Sequence, residues 1–539
     1  MVAHVLAASG LGCTSALLAS VFASQLLADQ PRSLGTYVIL ALLSCAEYVE
    51  AHTGLSWGPG LTDEGNLLTL YQTGKYVRFG PNRISLNSGA ASRDLHNAHS
   101  NTFKSNAYSS FKRFFGAEMS LTTVDHKAHA FRRRVNASAL TPAAIRSLEK
   151  RVTPHVDLLV AQIDEAIDKT GTESGWGPSK DMGHAVAYVI ADIMGDVTFS
   201  QHFNVQRDAK NRHFIHDLPK GVAGIHLVGH MQSLFLFNIH RVLFRELIEG
   251  VGQLMELSRS FANRRLEDGK KGVSSNDIWE ALLTARDPKS GRGFTPEELT
   301  SEASLFIIGG TDGMITATTS TLFYLVHNPD ALHRLTRELR EAFPATPSPT
   351  GEVSCPIQFA SPELQRVDWL FACMDESMRI SPPVPSVLPR RAGPGGIVVD
   401  GDFFPEGTDI GIPHYSLHRN PDVFPEPLAY KPQRWMSTDE VKEGGVVLKP
   451  GVGFGPSFTP FGAGRSSCIG KDMAYKEVAY ILARLIWQFD IKLDQNDLTG
   501  EGLGTGPEGR ERKDEFQLFD RFVSKMTQEN KREKRPQRY

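Results

Sequence analysis

One cysteine in a glycine-rich stretch near the end of the chain is the strongest chemical signal in the sequence. Cys468 lies in FGAGRSSCIGK (Phe461–Lys471), preceded by Gly462 and Gly464 and followed by Gly470. Glycines let the backbone approach a flat or bulky partner closely and point amides at the sulfur. A helix predicted just after the cysteine adds a dipole that favours a thiolate. No histidine base is local, so a metal-ligand thiolate is favoured over a nucleophile or a merely buried cysteine.

Two charged motifs precede this cysteine loop. In DESMR (Asp375–Arg379), Glu376 and Arg379 are three positions apart and would share one face of a helix. In YKPQRW (Tyr430–Trp435), Arg434 can bind a carboxylate through two hydrogen bonds. Each motif is weak alone, because ExxR occurs by chance in many helices. Together they predict a three-member charge network that holds the coil carrying the cysteine loop.

The order of these motifs carries a resemblance. ExxR, then aromatic-x-Pro-x-Arg-Trp, then FxxGxxxCxG resembles the cytochrome P450 superfamily, the haem-thiolate monooxygenases, and is most similar to fungal membrane-bound members. The likeness runs from about Tyr71 to Phe516 and includes HYSLHRNPDVFPEP (His414–Pro427). It implies a predominantly helical α+β fold with a long central helix, small β-sheets and a haem loop. Cys468 would then be the iron ligand, whose thiolate pushes electron density toward O–O cleavage.

The resemblance also implies which other residues contact haem. His129 and Arg133, one turn apart, and Arg390 on a later strand would bind the propionates. The further implied contacts are Gly309, Gly310, Phe461, Gly464, Arg465 and Gly470. The family loop usually places an arginine two residues before the cysteine, where this chain has Ser466 and carries Arg465 one position earlier. Either Arg465 reaches a propionate or that contact falls to the other three cations. Glu376, Arg379 and Arg434 would be structural.

The predicted long helix departs from the family pattern at the oxygen site. The family usually carries an acid followed by threonine, but GGTDGMITATT (Gly309–Thr319) places Asp312 on the acid and Gly313 on the threonine position. Asp312 can relay protons, while the hydroxyl is missing. Thr311 or Thr316 could replace it, but a helix turns by about 100° per residue, so neither faces the same way. We predict Asp312, Gly313 and Thr311 as the catalytic segment, with a substrate hydroxyl or a water as alternative proton sources.

Local patterns predict the elements that position these residues. Two short strands are predicted around a Gly-Pro turn in Lys75–Asn87, and short β pairs in Gly395–Ile412. The sequence over 141–345 is mostly helical in pattern. The predicted helices include one that begins in Thr141–Val152, a long one over roughly Thr300 to His327, and an apolar one at Met473–Trp487. Helices through the middle and small sheets near both ends favour an α+β fold dominated by helix.

Composition limits the classes of function. The chain has 539 residues, a net charge of −3 and an apolar fraction of 41%, which is typical of a compact globular protein, and nothing in this balance indicates a nucleic-acid partner. The five cysteines are too scattered for a disulfide framework, and no Cys/His spacing indicates zinc.

The N-terminus predicts a membrane anchor. Val2–Ala28 contains no Asp, Glu, Lys or Arg and exceeds the roughly 20 residues that a helix needs to cross a bilayer. A signal peptide or a buried apolar helix are the alternatives; Arg32 favours a cytosolic side for the rest of the chain. The predicted organisation is an anchor at 1–32, an interfacial patch and hinge at 33–70, a haem-thiolate domain at 71–526 and a basic, disordered tail at 527–539.

The functional expectation is a haem-dependent monooxygenase anchored in the endoplasmic reticulum membrane. It would take electrons from NADPH-cytochrome P450 reductase and insert one oxygen atom from O2 into an apolar small molecule, in fungal secondary metabolism or xenobiotic oxidation. Specificity would lie in Pro219–Phe237 and Ser381–Leu388. Two alternatives stay open: the same fold performing dehydration, rearrangement or peroxide-driven oxidation, and a non-catalytic haem-binding membrane protein.

Overall fold

Helices dominate the secondary structure, and the strands are short. The computed structural model describes residues 75–526 except 81, 171–175, 213–214, 216–217, 224–243, 272–274, 348–352, 437–440, 444–445, 449–453, 495–500, 503–511 and 522. The predicted anchor, patch and hinge, the C-terminal tail and most of Pro219–Phe237 lie outside these residues. Among the residues that the structure describes, no helix combines the length and apolar character needed to cross a bilayer.

The helices, in chain order, are α1 (Gly89–His96), α2 (Lys112–Phe115), α3 (His126–Ala139), α4 (Pro142–Ser147), α5 (Glu149–Thr170), α6 (Met182–Phe199), α7 (Arg245–Lys270), α8 (Ile278–Thr284), α9 (Pro296–His327), α10 (Pro329–Ala342), α11 (Asp368–Ile380), α12 (His414–Leu417) and α13 (Lys471–Gln488). The strands are β1 (Tyr76–Gly80), β2 (Arg83–Leu86), β3 (Thr102–Lys104), β4 (Thr346–Pro347), β5 (Val353–Ser354), β6 (Arg390–Ala392), β7 (Ile397–Val399), β8 (Asp402–Phe404), β9 (Asp409–Gly411), β10 (Val441–Glu443), β11 (Val446–Leu448), β12 (Leu518–Arg521) and β13 (Val523–Met526).

Helix α9 is the central element of the core. It begins with a capping box, in which Thr295 accepts from the Glu298 amide while the Glu298 carboxylate accepts from the Thr295 amide. It ends just before Pro329, which opens α10. The predicted helix ends at the same place but begins one turn too late, because its predicted start leaves out the capping box and the proline at the first helical turn.

Helix α9 is enclosed by other helices of the core. Helices α6, α11 and α13 all pack against α9, and α5 packs against α6. Helix α13 is almost entirely buried from Val478 to Trp487, so the helix that begins at the cysteine loop is held inside the molecule. Its predicted start, Met473, is two residues later than the observed one.

A five-stranded sheet lies beside this helical core, with the strand order β1-β2-β9-β6-β3. Its pairs are antiparallel except β2 with β9. The register of β3 and β6 sets Lys104 directly opposite Arg390. The other described strands form the hairpins β4–β5, β7–β8, β10–β11 and β12–β13.

Besides the starts of α9 and α13, the local predictions need one correction. The two strands around the Gly-Pro turn and a hairpin inside Gly395–Ile412 are present. The helix predicted to begin at Thr141 is two helices, because α4 ends at Ser147 and α5 starts at Glu149. Thr141 caps α4 by accepting from the amide of Ala144. The domain boundaries proposed from the sequence stay predictions.

Candidate active site

The cysteine loop is a tight turn that ends where α13 begins. The amide of Cys468 donates to the carbonyl oxygen of Phe461 at 2.7 Å, which closes the loop. Gly464 has a φ of +63°, and a Cβ at this position would collide with the carbonyl oxygen of His96 at the end of α1. The loop therefore needs glycine at 464 both for its backbone conformation and for its close approach to α1.

The thiol of Cys468 is both accessible and closely surrounded by protein. Its side chain keeps exposed surface, yet burial beneath the surrounding protein raises the pKa of the thiol. The amides of Gly470 and Lys471, at the start of α13, and the Arg133 guanidinium act in the opposite direction. These are the groups that stabilise a thiolate, so the loop is built to hold sulfur in the charged form once a cation is bound to it.

Arg133 on α3 holds the residue next to the cysteine. Its guanidinium donates to the carbonyl oxygen of Ser467 at 2.6 Å and to the Ser467 hydroxyl at 3.1 Å. This contact fastens α3 to the cysteine loop. Arg133 also lines a cavity beside the loop, so the predicted propionate ligand has a structural contact as well.

This cavity, of about 250 Å³, lies between α1, β3, α3, β6 and the cysteine loop. Its lining is Leu95, His96, Asn97, Thr102, Phe103, Lys104, Thr123, Val124, His126, His129, Ala130, Arg133, Arg390, Ala463, Arg465 and Ser466. The structure thus brings His129, Arg133, Arg390 and Arg465, which were predicted from distant parts of the chain, to a single cavity.

The basic groups of the cavity repel one another. Burial, together with the charges of Arg390 and Arg133, lowers the pKa of Lys104 to about 7. Burial, together with the charges of Lys104, Arg133 and Arg390, lowers the pKa of His129 to about 3. Like charges set opposite each other on paired strands destabilise a sheet. A cavity that gathers cations at this cost is suited to a ligand carrying carboxylates.

Three basic residues of the cavity were missed by sequence reasoning. His96 ends α1, Lys104 ends β3, and His126 begins α3. None of them stands in a motif, and each becomes part of the site only through the β3–β6 pairing and the packing of α1 on the cysteine loop. A lone lysine in a short strand carries no signal that would have revealed Lys104.

Arg465 contacts the rim of the cavity. Its guanidinium donates to the carbonyl oxygen of Ser100 at 2.7 Å and lies 3.3 Å from Nδ1 of His126. Arg465 is exposed, whereas Arg390 is buried. The more deeply placed cations are therefore those of β3, α3 and β6.

Phe461 packs on the helix after the loop. Its ring lies 5.1 Å from that of Tyr475, at an angle of 37°. The Tyr475 hydroxyl donates to the Asp375 carboxylate at 2.5 Å. Burial raises the pKa of Asp375 to about 6. This chain of contacts ties the start of the cysteine loop to α11.

Glu376, Arg379 and Arg434 meet in one buried network. Arg379 donates to both oxygens of Glu376 at 2.9 Å, and Arg434 donates to one of them at 3.0 Å. The Lys431 amide and the Trp435 indole also donate to Glu376, at 2.8 and 3.0 Å. Arg379 further donates to carbonyl oxygens of the coil between α12 and the cysteine loop, those of His418, Pro427 and Ala429. The network fixes the coil that precedes the loop.

The glycines of α9 have different surroundings. A Cβ on Gly310 would collide with Cε of Met194 on α6, so Gly310 permits close helix packing. A Cβ on Gly313 would meet only Cβ of Pro383, at 3.9 Å, and one on Gly309 only Cδ1 of Leu305 in the same helix, at 3.9 Å. Gly309 and Gly313, four positions apart, leave open space on one face of the helix. Gly310 packs against α6, and its predicted contact with haem stays a prediction.

Asp312 is the acid next to this open space. Burial raises its pKa to about 7, and it makes no hydrogen bond or ion pair to the described residues. Thr311, also predicted as catalytic, is fully buried, and its hydroxyl has no partner within the described part of the chain. Thr316 is buried as well. Thr311 lies on the side of the helix opposite the face that Gly309 and Gly313 leave open. Thr316, seven positions after Gly309 and three after Gly313, lies on the same side as these glycines.

These residues fit a haem. The fit rests on a thiol with backbone amides aimed at it, on a glycine whose Cβ would block the loop, and on basic side chains without a matching anion among the described residues that line the cavity. Cys468 would hold the iron, and Lys104, His129, Arg133 and Arg390 would hold the propionates.

Comparison with known proteins gives the same family. A sequence profile described as Cytochrome P450 matches residues 81–504. A cytochrome P450 monooxygenase of Gibberella zeae is 30% identical over 433 residues, covering 80% of this chain and 94% of that protein. Cytochrome P450 monooxygenase poxM of Penicillium oxalicum is 30% identical over 421 residues, covering 78% and 77%. Averantin hydroxylase of Dothistroma septosporum is 25% identical over 425 residues, covering 78% and 74%.

The profile spans most of the chain, and its range contains the cysteine loop, the Glu376 network and α9. The relatives are fungal and carry monooxygenase or hydroxylase names. The predicted family, its haem cofactor and its predominantly helical fold with small sheets are confirmed. The chain belongs to the cytochrome P450 family, the haem-thiolate monooxygenases.

Proposed function

We propose that this chain inserts one oxygen atom from O2 into an apolar small-molecule substrate of fungal secondary metabolism or of xenobiotic origin. The observations that carry the proposal are a Cys468 thiol with two backbone amides aimed at it and a half-buried Asp312, without a partner among the described residues, beside an open strip of α9. Haem, when bound at Cys468, supplies the activation of dioxygen. The protein holds the haem and the substrate in place, limits the access of water and delivers the proton.

Asp312 is the proton carrier of this proposal. Its pKa of about 7 lets the carboxyl hold a proton and release it near neutral pH. The space left by Gly309 and Gly313 gives a substrate group or a water access to the carboxyl, because no described side chain fills it. A hydroxyl that approaches through this space takes the place of the family threonine.

The ligand assignment is tested by the spectrum of the reduced protein with carbon monoxide. Wild type and Cys355→Ala, a cysteine outside the site, are expected to show the band typical of thiolate ligation. Cys468→Ala is expected to lose it. A wild-type protein without that band, or a Cys468→Ala protein that keeps it, would remove the basis of the proposal.

The reaction is tested with labelled dioxygen. Substrates are first found through the spectral change that binding produces, and the product of NADPH-driven turnover is then analysed by mass spectrometry. One labelled oxygen atom in the product is expected. An oxidised product without the label would contradict oxygen insertion from O2.

A second candidate function is suggested by Gly313. Without the hydroxyl, the same fold is suited to a dehydration, a rearrangement or a peroxide-driven oxidation. The labelled-dioxygen experiment separates the two candidates: a product without label, formed equally well when peroxide replaces NADPH and O2, favours the second.

The membrane setting is a further part of the proposal. We place the catalytic domain on the cytosolic face of the endoplasmic reticulum, anchored by 1–32 and supplied with electrons by NADPH-cytochrome P450 reductase. The anchor is supported by the uncharged stretch Val2–Ala28. Removing 1–32 is expected to move the protein from the microsomal pellet to the supernatant while leaving the carbon-monoxide spectrum unchanged. An unchanged pellet fraction would contradict the anchor.

A further inference from the structure

Two histidines and an aspartate come together away from the haem cavity. They are His155 on α5, Asp196 near the end of α6 and His202 in the segment after α6. None of the three lines the cavity at the cysteine loop. One ligand atom from each lies within 4.8 Å of the other two, and within the described part of the chain this is the one such group of three.

The chain folds tightly to bring His202 beside Asp196. Ser200 ends α6 in the left-handed conformation with a φ of +52°, and its amide bonds to the carbonyl oxygen of Asp196 at 2.9 Å. The amide of Gln201 then bonds to the carbonyl oxygen of Gly195 at 3.1 Å. This reversal brings the segment after α6 back to the end of the helix, so that Asp196 and His202, six positions apart, lie next to each other.

The distances suit a small cation. Nε2 of His155 lies 3.2 Å from Oδ2 of Asp196, and Nδ1 of His202 lies 3.7 Å from the same oxygen. Ligand atoms about 2.0–2.2 Å from a tetrahedral zinc ion lie about 3.3 Å from one another. The His202 side chain is 65% exposed, so it can swing inward by the remaining distance without disturbing the core.

The carboxylate is already oriented for this role. Arg151 donates to its other oxygen, Oδ1, at 2.5 Å and also to the carbonyl oxygen of Ser275. Oδ2 is thereby turned toward the two imidazoles. Carboxylate ligands of metals are commonly held by such a hydrogen bond. The positive charge of Arg151 weakens the attraction of the site for a cation, which favours moderate affinity.

We propose that His155, Asp196 and His202 form a surface site for a divalent transition metal of the zinc class, with its fourth position open to solvent. Two imidazoles and one carboxylate favour zinc or nickel over magnesium or calcium, which prefer oxygen ligands. The metal would tie α5 to the end of α6. Its ligand Asp196 lies two residues after Met194, whose side chain packs on Gly310 of the central helix.

The test is calorimetric titration of the untagged, full-length holoprotein with zinc ions after treatment with a chelator. His202→Ala removes the exposed ligand without touching the core. The matched control is His184→Ala, because His184 and Asp181 form another histidine–carboxylate pair, at 2.5 Å, that belongs to no group of three ligands among the described residues. His155→Gln serves as a second ligand variant, and magnesium ions as a second titrant.

Wild type and His184→Ala are expected to bind one zinc ion per chain at this site, with equal affinity. His202→Ala and His155→Gln are expected to weaken zinc binding by at least about tenfold, with an unchanged haem spectrum showing that the fold is intact. Equal zinc affinity in wild type and His202→Ala, or a preference for magnesium, would overturn the proposal and leave a hydrogen-bonded cluster only.

Discussion

The network around Glu376 is fully buried and Asp312 in the glycine-rich segment of α9 is half-buried. The two carboxyl groups have opposite surroundings. Glu376 accepts five hydrogen bonds. Although burial acts to raise its pKa, the guanidinium groups of Arg379 and Arg434 hold that pKa below its usual value. Asp312 accepts none from the described residues, and burial alone raises its pKa to about 7.

The difference separates an acid that holds the fold from an acid that can react. A buried carboxylate with all its bonds made is charged, rigid and costly to disturb. A buried carboxyl without partners binds and releases its proton near neutral pH, as catalytic acids do. Substitution of Glu376 is therefore expected to reduce stability, and substitution of Asp312 is expected to reduce activity.

The largest effect is expected from Glu376→Gln. The substitution leaves two buried guanidinium groups without their counter-charge, and breaking such a pair costs about 3–5 kcal/mol. The free energy of unfolding, measured in urea through the loss of haem absorbance, is expected to fall by that amount, or the protein will not retain haem at all.

Glu477→Gln is the matched control for this change. Glu477 on α13 is equally buried, but neither of its oxygens has a partner within the described residues. Burial raises its pKa to about 8, so the group is neutral at pH 7. Its substitution is expected to change stability by less than about 1 kcal/mol. Equal losses in the two variants would show that burial, rather than pairing, sets the cost.

Asp312→Asn is expected to reduce product formed per NADPH consumed by about 10²-fold, the lower end for removal of a general acid. The carbon-monoxide spectrum should not change, because Asp312 does not hold the cysteine loop. An unaltered yield of product would mean that protons reach the site by another route.

The pH dependence of product yield is set by the same carboxyl. Its raised pKa means that Asp312 keeps its proton below about pH 7 and loses it above. Yield is therefore expected to fall as the pH rises from about 6 to about 8. Asp312→Asn should abolish this dependence, and a wild-type profile that is flat over the same range would contradict the assignment.

A smaller effect is expected from Lys104→Met in the cavity beside the cysteine loop. Charge-assisted hydrogen bonds contribute about 1.5–3 kcal/mol, so loss of one propionate contact should speed haem transfer to apomyoglobin by about tenfold or more. Lys112→Met, which removes an exposed lysine, is the control and should match wild type. Unchanged transfer in Lys104→Met would remove this residue from the haem contacts.

Effects of similar or smaller size distinguish two glycines of α9. Gly313→Ala is expected to stabilise the protein by up to about 1 kcal/mol, because alanine is the better helix former and its Cβ meets only Pro383. Gly310→Ala is expected to destabilise by about 1–3 kcal/mol through overpacking against Met194. Thermal unfolding measures both. A stability change of the same sign in both variants would refute the assigned difference between the packed Gly310 and the open Gly313.

Much of the architecture could be predicted from local sequence. Caps and prolines mark the end of α9, and alternation around a Gly-Pro turn predicts β1 and β2. The missed start of α9 and the break between α4 and α5 are local features too, since the capping signal at Thr295 is present in the sequence. Helix ends are harder to predict than helix middles, because the terminal turns fray and often tighten into 3₁₀ turns.

The identity of the cysteine loop and its supporting motifs was determined by the sequence itself, because their chemistry requires particular residues at short spacing. Only the tertiary structure decided that Lys104 faces Arg390, that Gly310 is packed while Gly313 is open, and that His155 and Asp196 meet His202. These relations join residues far apart in the chain or depend on which neighbour covers each face of a helix. Pairing and packing supply that information, and no local pattern contains it.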